Sequence, residues 1–196
     1  MGVTLNRDGS WEKHTDLIVA KAYKTLHYVM RNLKGSSRRA KELGYKSLVR
    51  PILEYATAVW DPYEECRARK IEKVQRKAAR YVMGKFRKTD SVSEMLDILG
   101  WEKLEKRRKI NRLGCIYRII AGYEGWEHFE NLLESPNFIG RCSHSYKIKL
   151  RKQRTNISKY SFLNRGIAES NKFPGVLFKP FPKNVLIFKK RCLKLL

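Results

Sequence analysis

Five cations recur on one side of a segment whose residue pattern is typical of a helix. With 3.6 residues per turn, one stripe of the segment contains Arg69, Lys73, Arg76, Lys77 and Arg80, and another contains Ile71, Val74, Ala78 and Tyr81. Like charges four residues apart each destabilise an isolated helix by about 0.2–0.5 kcal/mol, and Glu72 is the only acid within the span. The pattern therefore indicates a buried side and a cationic side suited to phosphates, with a merely solvated charged face as the alternative.

Other cations extend this candidate surface. The tail around residues 141–162 mixes basic and aromatic residues with hydroxyls, which suits backbone contacts plus stacking on unpaired bases. The same aromatics could instead anchor the tail to the helical body, and the sequence leaves both interpretations open. The candidate nucleic-acid-binding residues are Arg69, Lys73, Arg76, Lys77, Arg80, Arg107, Arg108, Arg141, His144, Lys147 and Arg151.

Residues for catalysis are lacking in the sequence. It has no Gly-rich phosphate loop, Gly-x-Ser-x-Gly elbow or His-Glu-x-x-His motif, and metal-dependent phosphoryl chemistry needs clustered carboxylates. We interpret the nearest acidic group, Asp61, Glu64 and Glu65, as a helix N-terminus. The histidines have no acid–base partner in sequence, and the four cysteines lack zinc-ligand spacing. We therefore expect no catalytic residue, no metal site, no cofactor and no small-molecule substrate.

The charge balance favours a polyanionic partner. Lys and Arg number 43 against 19 Asp and Glu, which gives a formal net charge of +24. From Arg141 onward there are fifteen of these cations and one acid, Glu169. DNA, RNA and anionic lipid are all candidates on charge alone. No signal peptide and no apolar stretch of about 20 residues is present, so we expect an intracellular protein, nuclear or cytoplasmic, without a membrane partner.

Helices are expected to position these residues. The periodicity predicts helices from a Ser10 N-cap to about Leu33, over about 38–59 with a kink or restart at Pro51, over about 64–83, from a Ser91 capping box to Gly100, and over about 102–121. In the last of these, we expect Arg107, Arg108, Arg112 and Arg118 to lie on the outer side.

The ends of the chain are expected to be less regular. Residues 2–5 predict a short strand followed by a turn at residues 6–9. Residues 126–133 predict a short helix, and residues 135–159 predict a loop, or a short strand around residues 146–150. The expected fold is mainly α: an irregular bundle of about five helices, with a strand remnant over 1–9, a helical domain over 10–133 and a basic, loosely ordered tail over 134–196.

Several blocks of the sequence resemble one family. Residues 2–11, 31–34, 45–56, 59–62, 71–80, 99–101, 104–108 and 140–145 are similar, in this order, to the last strand block, thumb and C-terminal region of reverse transcriptases from LINE-type (jockey-like) non-LTR retrotransposons. The strings Pro-Ile-Leu-Glu-Tyr-Ala at 51–56 and Val-Gln-Arg-Lys-Ala-Ala-Arg at 74–80 are the most specific. The chain departs from the family at residues 170–174, which read Ser-Asn-Lys-Phe-Pro where the family commonly has Trp-Asn-x-Leu-Pro.

The resemblance implies a thumb that grips the template–primer in an RNA-directed DNA polymerase. The family's catalytic aspartates lie upstream of the matched region, so we expect a truncated copy without autonomous activity. Expected partners are RNA or an RNA–DNA duplex, and the palm and fingers of a full-length polymerase. Two alternatives stay open: a transposon relic without a function of its own, or a helical protein-interaction module.

Overall fold

The computed structural model describes residues 2–123, 133–134, 146–178 and 184–195. Over these ranges helices predominate and no residue is in a β-strand, so the mainly α class is confirmed. No helix within these ranges has the length and apolar character needed to cross a membrane. The chain divides into two compact units, Met1–Arg107 and Arg108–Leu196. This boundary lies inside the last long predicted helix, whereas the sequence suggested a boundary near residue 133.

The first unit is built mainly from two long helices and several short ones. Its elements are α1 (Glu12–Asn32), α2 (Arg38–Gly44), a π-helical turn (Tyr45–Val49), α3 (Arg50–Glu54), α4 (Thr57–Trp60), α5 (Glu65–Met83), α6 (Val92–Ile98) and the first residues of α7 (Leu104–Ile120).

The core of the first unit lies between the apolar stripes of α1 and α5. Leu26 and Val29 of α1 and Ile71, Val74 and Ala78 of α5 are at most 2% exposed. Burying each of the four larger side chains, those of Leu26, Val29, Ile71 and Val74, contributes about 1.5–3 kcal/mol, so this contact is a major part of the unit's stability. The predicted apolar side of the third helix is therefore confirmed.

The segment between α2 and α4 is more broken than the sequence predicted. Ser37 caps α2 by accepting a hydrogen bond from the backbone N–H of Ala40. Pro51 lies in the first turn of α3, where a backbone N–H would have no partner within the helix, so the lack of an N–H in proline does not destabilise α3. A new α-helix thus starts next to Pro51, in agreement with the predicted kink or restart. A second break follows at Ala56, whose φ of 51° is left-handed and turns the chain into α4.

The predicted N-terminal elements are only partly present. The turn at residues 6–9 is confirmed, since the Gly9 N–H donates to the carbonyl of Asn6. The strand at residues 2–5 is wrong: these residues are irregular, and the Thr4 N–H donates to Nδ1 of the buried His14. Helix α1 begins after Trp11 instead of Ser10, whose own N–H is held by the Asp8 carboxylate.

The second unit forms around the remainder of α7. The elements that follow are α8 (Asn156–Lys159), α9 (Phe162–Ser170), a 3-10 helix (Gly175–Phe178) and α10 (Val185–Leu195). Tyr117 of α7 stacks on Phe188 of α10 with ring centroids 4.3 Å apart, and Phe178 is also buried. Helix α9 approaches α7 so closely that a Cβ at Gly166 would lie 2.6 Å from Ile116 Cγ1.

One expectation for the tail is therefore wrong within the described residues, and the structure decides between the alternatives of another. The tail is not loosely ordered, because α9, α10 and the 3-10 helix bury apolar side chains of their own. Of the loop or short strand expected at residues 146–150, the loop is confirmed, and the Asn171 side chain binds both the N–H and the carbonyl of Ile148. Most of the predicted helix at 126–133 lies outside the described residues.

A buried ion pair links α7 to α9. The guanidinium of Arg112 donates to both carboxylate oxygens of Glu169, at 2.6 Å and 3.0 Å, and the Arg112 side chain is only 2% exposed. The expectation that Arg112 and Arg108 face outward is wrong, since each residue is 1% exposed. Glu169, the one acid among residues 141–196, thus neutralises a cation in the interior.

We expect Glu169→Ala to destabilise the second unit by about 3 kcal/mol, because it leaves the Arg112 charge in the interior without this carboxylate. Urea unfolding of the whole chain measures the loss. Glu134→Ala is the control, because Glu134 forms its ion pairs with Lys149 and Arg151 on the surface. Equal unfolding midpoints for the two variants would contradict a structural role for the buried pair.

Candidate nucleic-acid interface

Helix α5 exposes three residues of the predicted cationic stripe, Arg69, Lys73 and Arg76, to solvent. Lys73 and Arg76 are exposed, and within the described ranges neither has an ion-pair partner. Arg69 is 67% exposed and pairs with Glu65 at 3.0 Å, one turn earlier on the same helix. An exposed pair of this kind contributes little stability, so the Arg69 guanidinium can exchange Glu65 for a phosphate at small cost.

Helix α1 lies parallel to α5 along one flank of this stripe. Near the start of both helices Lys70 Nζ is 2.7 Å from Asp16 Oδ1, and further along Lys77 Nζ is 2.7 Å from His27 Nε2. Lys77 also lies over the Tyr23 ring, 5.5 Å from its centroid. The hydrogen bond to Asp16 raises the pKa of Lys70, so this residue remains cationic.

The parallel packing adds two cations of α1 to the same surface. Lys24 and Arg31 are three residues before and four residues after His27, so they lie on the same side of α1 as His27. We call the line of polar contacts between α1 and α5 the polar seam. Both are exposed and, among the residues the structure describes, neither forms an ion pair. We define the basic face as Lys24 and Arg31 of α1 with Arg69, Lys73, Arg76 and Lys77 of α5.

The site residues predicted from the sequence did not include Lys24 and Arg31 of α1. The available signal was the opposite-charge match between Asp16 and Lys70, which are 54 residues apart. Only the tertiary packing of the two helices brings that pair together.

Three of the predicted site residues, Arg80, Arg107 and Arg108, are held or buried within the fold. Arg80 donates to the backbone carbonyls of Arg87 and Asp90, at 2.9 Å and 3.4 Å, and so holds the loop after α5. Arg107 binds both carboxylate oxygens of Glu54, and these hydrogen bonds raise the pKa of Arg107. Arg108 is buried, so its predicted contact with nucleic acid is wrong.

The predicted tail residues are not brought together with the basic face by any described contact. Arg141 and His144 lie outside the described residues. Lys147 and Arg151 belong to the second unit, where Lys147 is half-buried and Arg151 pairs with Glu134 at 2.6 Å. Tyr146 stacks on Phe178, and Phe162 packs against the Ile116 cluster, so these two aromatics anchor the tail within its own unit.

The described part of the chain contains no cluster of three His, Cys, Asp or Glu residues that could hold a metal ion. Cys66, Cys115 and Cys192 are free thiols. Burial raises the pKa of Cys115, and it raises the pKa of Cys192 to about 12. These two thiols are therefore poor nucleophiles near neutral pH.

Comparison with protein-family models, with curated proteins and with solved structures gives no match for this chain. The family resemblance of the sequence blocks therefore stays a prediction.

We expect Arg107→Gln to lower the free energy of unfolding by about 1–3 kcal/mol, because it removes charge-assisted hydrogen bonds to Glu54. The affinity for polynucleotide at low salt should stay unchanged, because Arg107 is not part of the basic face. Urea unfolding and fluorescence anisotropy measure the two effects. If the variant had native stability but bound polynucleotide more weakly, Arg107 would belong to the binding site and the structural role would be contradicted.

Proposed function

We propose that this chain binds RNA or an RNA–DNA duplex through the basic face, without reading the sequence of bases. The observation that carries the proposal is the position of Lys24, Arg31, Lys73 and Arg76. All four are exposed, and within the described residues none has a carboxylate partner. The net charge of +24 supports the same partner class.

Binding of this kind is driven by the release of counterions from the phosphates. Each phosphate that a Lys or Arg neutralises lowers the slope of log K against log salt concentration by about 0.9 on duplex DNA. Flexible lysines and arginines on helix surfaces contact the phosphate backbone, which is the same for every sequence. The basic face thus suits firm, salt-sensitive and sequence-tolerant binding.

We further propose that this activity is the template–primer grip of a reverse transcriptase thumb. Support comes from the ordered blocks of residues 45–56 and 71–80, which resemble LINE-type enzymes and include Lys73, Arg76 and Lys77 of the basic face. On this proposal the palm and fingers of a full-length polymerase are partners, and the chain alone has no polymerase activity. An intracellular location, nuclear or cytoplasmic, agrees with the free thiols of Cys66, Cys115 and Cys192.

The proposal is tested with Lys73→Ala and Arg76→Ala combined in one chain. We expect weaker binding to an RNA–DNA hybrid and a salt slope smaller in magnitude by about two, because two phosphate contacts are lost. Fluorescence anisotropy across a series of salt concentrations measures both quantities.

The control combines Arg38→Ala and Arg39→Ala, two exposed cations at the start of α2. It removes the same charge from outside the basic face and should leave the slope unchanged. Equal slopes for the two double variants would show that binding reflects net charge alone and would contradict the proposed site.

A protein-interaction module is the second candidate function. Leu43, Leu48, Tyr55 and Val59, along α2 to α4, are each about half exposed or more. Such residues suit an apolar partner surface. Association through them would depend little on salt, so the same salt series separates the two functions.

A further inference from the structure

The end of α5 passes into a sharp and well-defined loop. Gly84 has a φ of 67°, the left-handed conformation that favours glycine at the end of a helix. The next N–H, that of Lys85, donates to the carbonyl of Arg80 at 3.1 Å. This capping arrangement turns the chain away from the helix at a defined angle.

The loop is held from two sides. The Arg80 guanidinium donates to the carbonyls of Arg87 and Asp90. The Asp90 carboxylate accepts from the N–H of Arg87 at 2.9 Å, and the Asp90 N–H donates back to the Arg87 carbonyl. Because these bonds fix the backbone before any partner arrives, little further ordering is needed on binding.

This loop exposes an aromatic ring among cations. The Phe86 side chain is 62% exposed, although a ring of that size is usually buried. Lys85, Arg87 and Lys88 beside it are exposed as well, and none of the three forms an ion pair with a described residue. The nearby acid, Asp90, directs its carboxylate to the loop backbone.

We propose that Phe86 stacks on an unpaired nucleobase, while Lys85, Arg87 and Lys88 hold the adjoining phosphates of a single strand. The inference deepens the proposed function and rests on it, because it names a single-stranded substrate contact next to the basic face. Arg80 connects the two features, since it belongs to the α5 stripe and also organises the loop.

The chemistry of the loop favours single-stranded nucleic acid over other partners. A base has an apolar ring face and is attached to an anionic backbone, which matches one exposed ring flanked by cations. Bases inside a duplex are already stacked on each other and offer no free face. Binding to a membrane surface increases with buried apolar area, and a single phenylalanine supplies little of it.

The experiment uses a single-stranded RNA of twelve nucleotides containing 2-aminopurine, whose fluorescence is quenched when it stacks. With the full chain we expect quenching on binding. Phe86→Leu keeps an apolar side chain but lacks the ring, so it should lose the quenching and weaken single-strand binding about tenfold. Phe86→Trp keeps an aromatic ring, so it should retain both the quenching and the affinity for the single strand. Affinity for a blunt RNA–DNA hybrid should be unchanged in each variant.

Two comparisons separate this inference from the proposed function. The Lys73→Ala, Arg76→Ala chain should bind both ligands more weakly but still quench at saturation. Tyr63→Leu, which removes another exposed ring, should behave as the unaltered chain.

Each contrary result has a distinct meaning. If the unaltered chain binds neither ligand, the proposed function fails and this inference fails with it. If it binds both but Phe86→Leu retains affinity and quenching, only the stacking role is overturned. Phe86-dependent binding to phosphatidylserine vesicles, with no effect on RNA, would also overturn it and assign the loop to membranes.

Discussion

The first unit depends on the burial of one apolar stripe of α1 against one apolar stripe of α5. Since side chains follow the helical period, burying Ile71, Val74 and Ala78 leaves Lys73 and Arg76 on the opposite, solvated side. The cationic surface is therefore a direct consequence of the core. A mutation that rotated α5 would expose apolar residues and bury charge at the same time, so the core protects the orientation of the basic face.

The polar seam beside this core sets how the two helices are aligned. Three polar contacts follow one another in the same order along both helices, which shows that α1 and α5 are parallel. They join Glu12 to Arg67, Asp16 to Lys70 and His27 to Lys77. Exposed pairs add little stability. Their effect is on register: they bring the cations of α1 beside those of α5, so both helices contribute to the basic face.

The sequence predicted most of the first unit because its signals are local. The stripe of α5, the Ser91 cap of α6 and the break at Pro51 each depend on residues within a few positions of one another. The interior of the second unit could not be predicted in this way. The sequence predicts that Arg112 is a surface cation, because its partner Glu169 is 57 residues away and contacts it only in the folded chain. Likewise, the sequence predicts that Arg80 binds nucleic acid, because its hydrogen bonds to the carbonyls of Arg87 and Asp90 form only in the folded chain.

We propose that a polyanion covers the basic face of α1 and α5. Lysine acetylation, followed by mass spectrometry with and without a bound RNA–DNA hybrid, tests it most directly, because each exposed amine reports its own accessibility. The result in favour is slower acetylation of both Lys24 and Lys73 in the complex, with Lys103, an exposed lysine just before α7, unaffected. Unchanged rates at Lys24 and Lys73, with protection found only elsewhere, would contradict it.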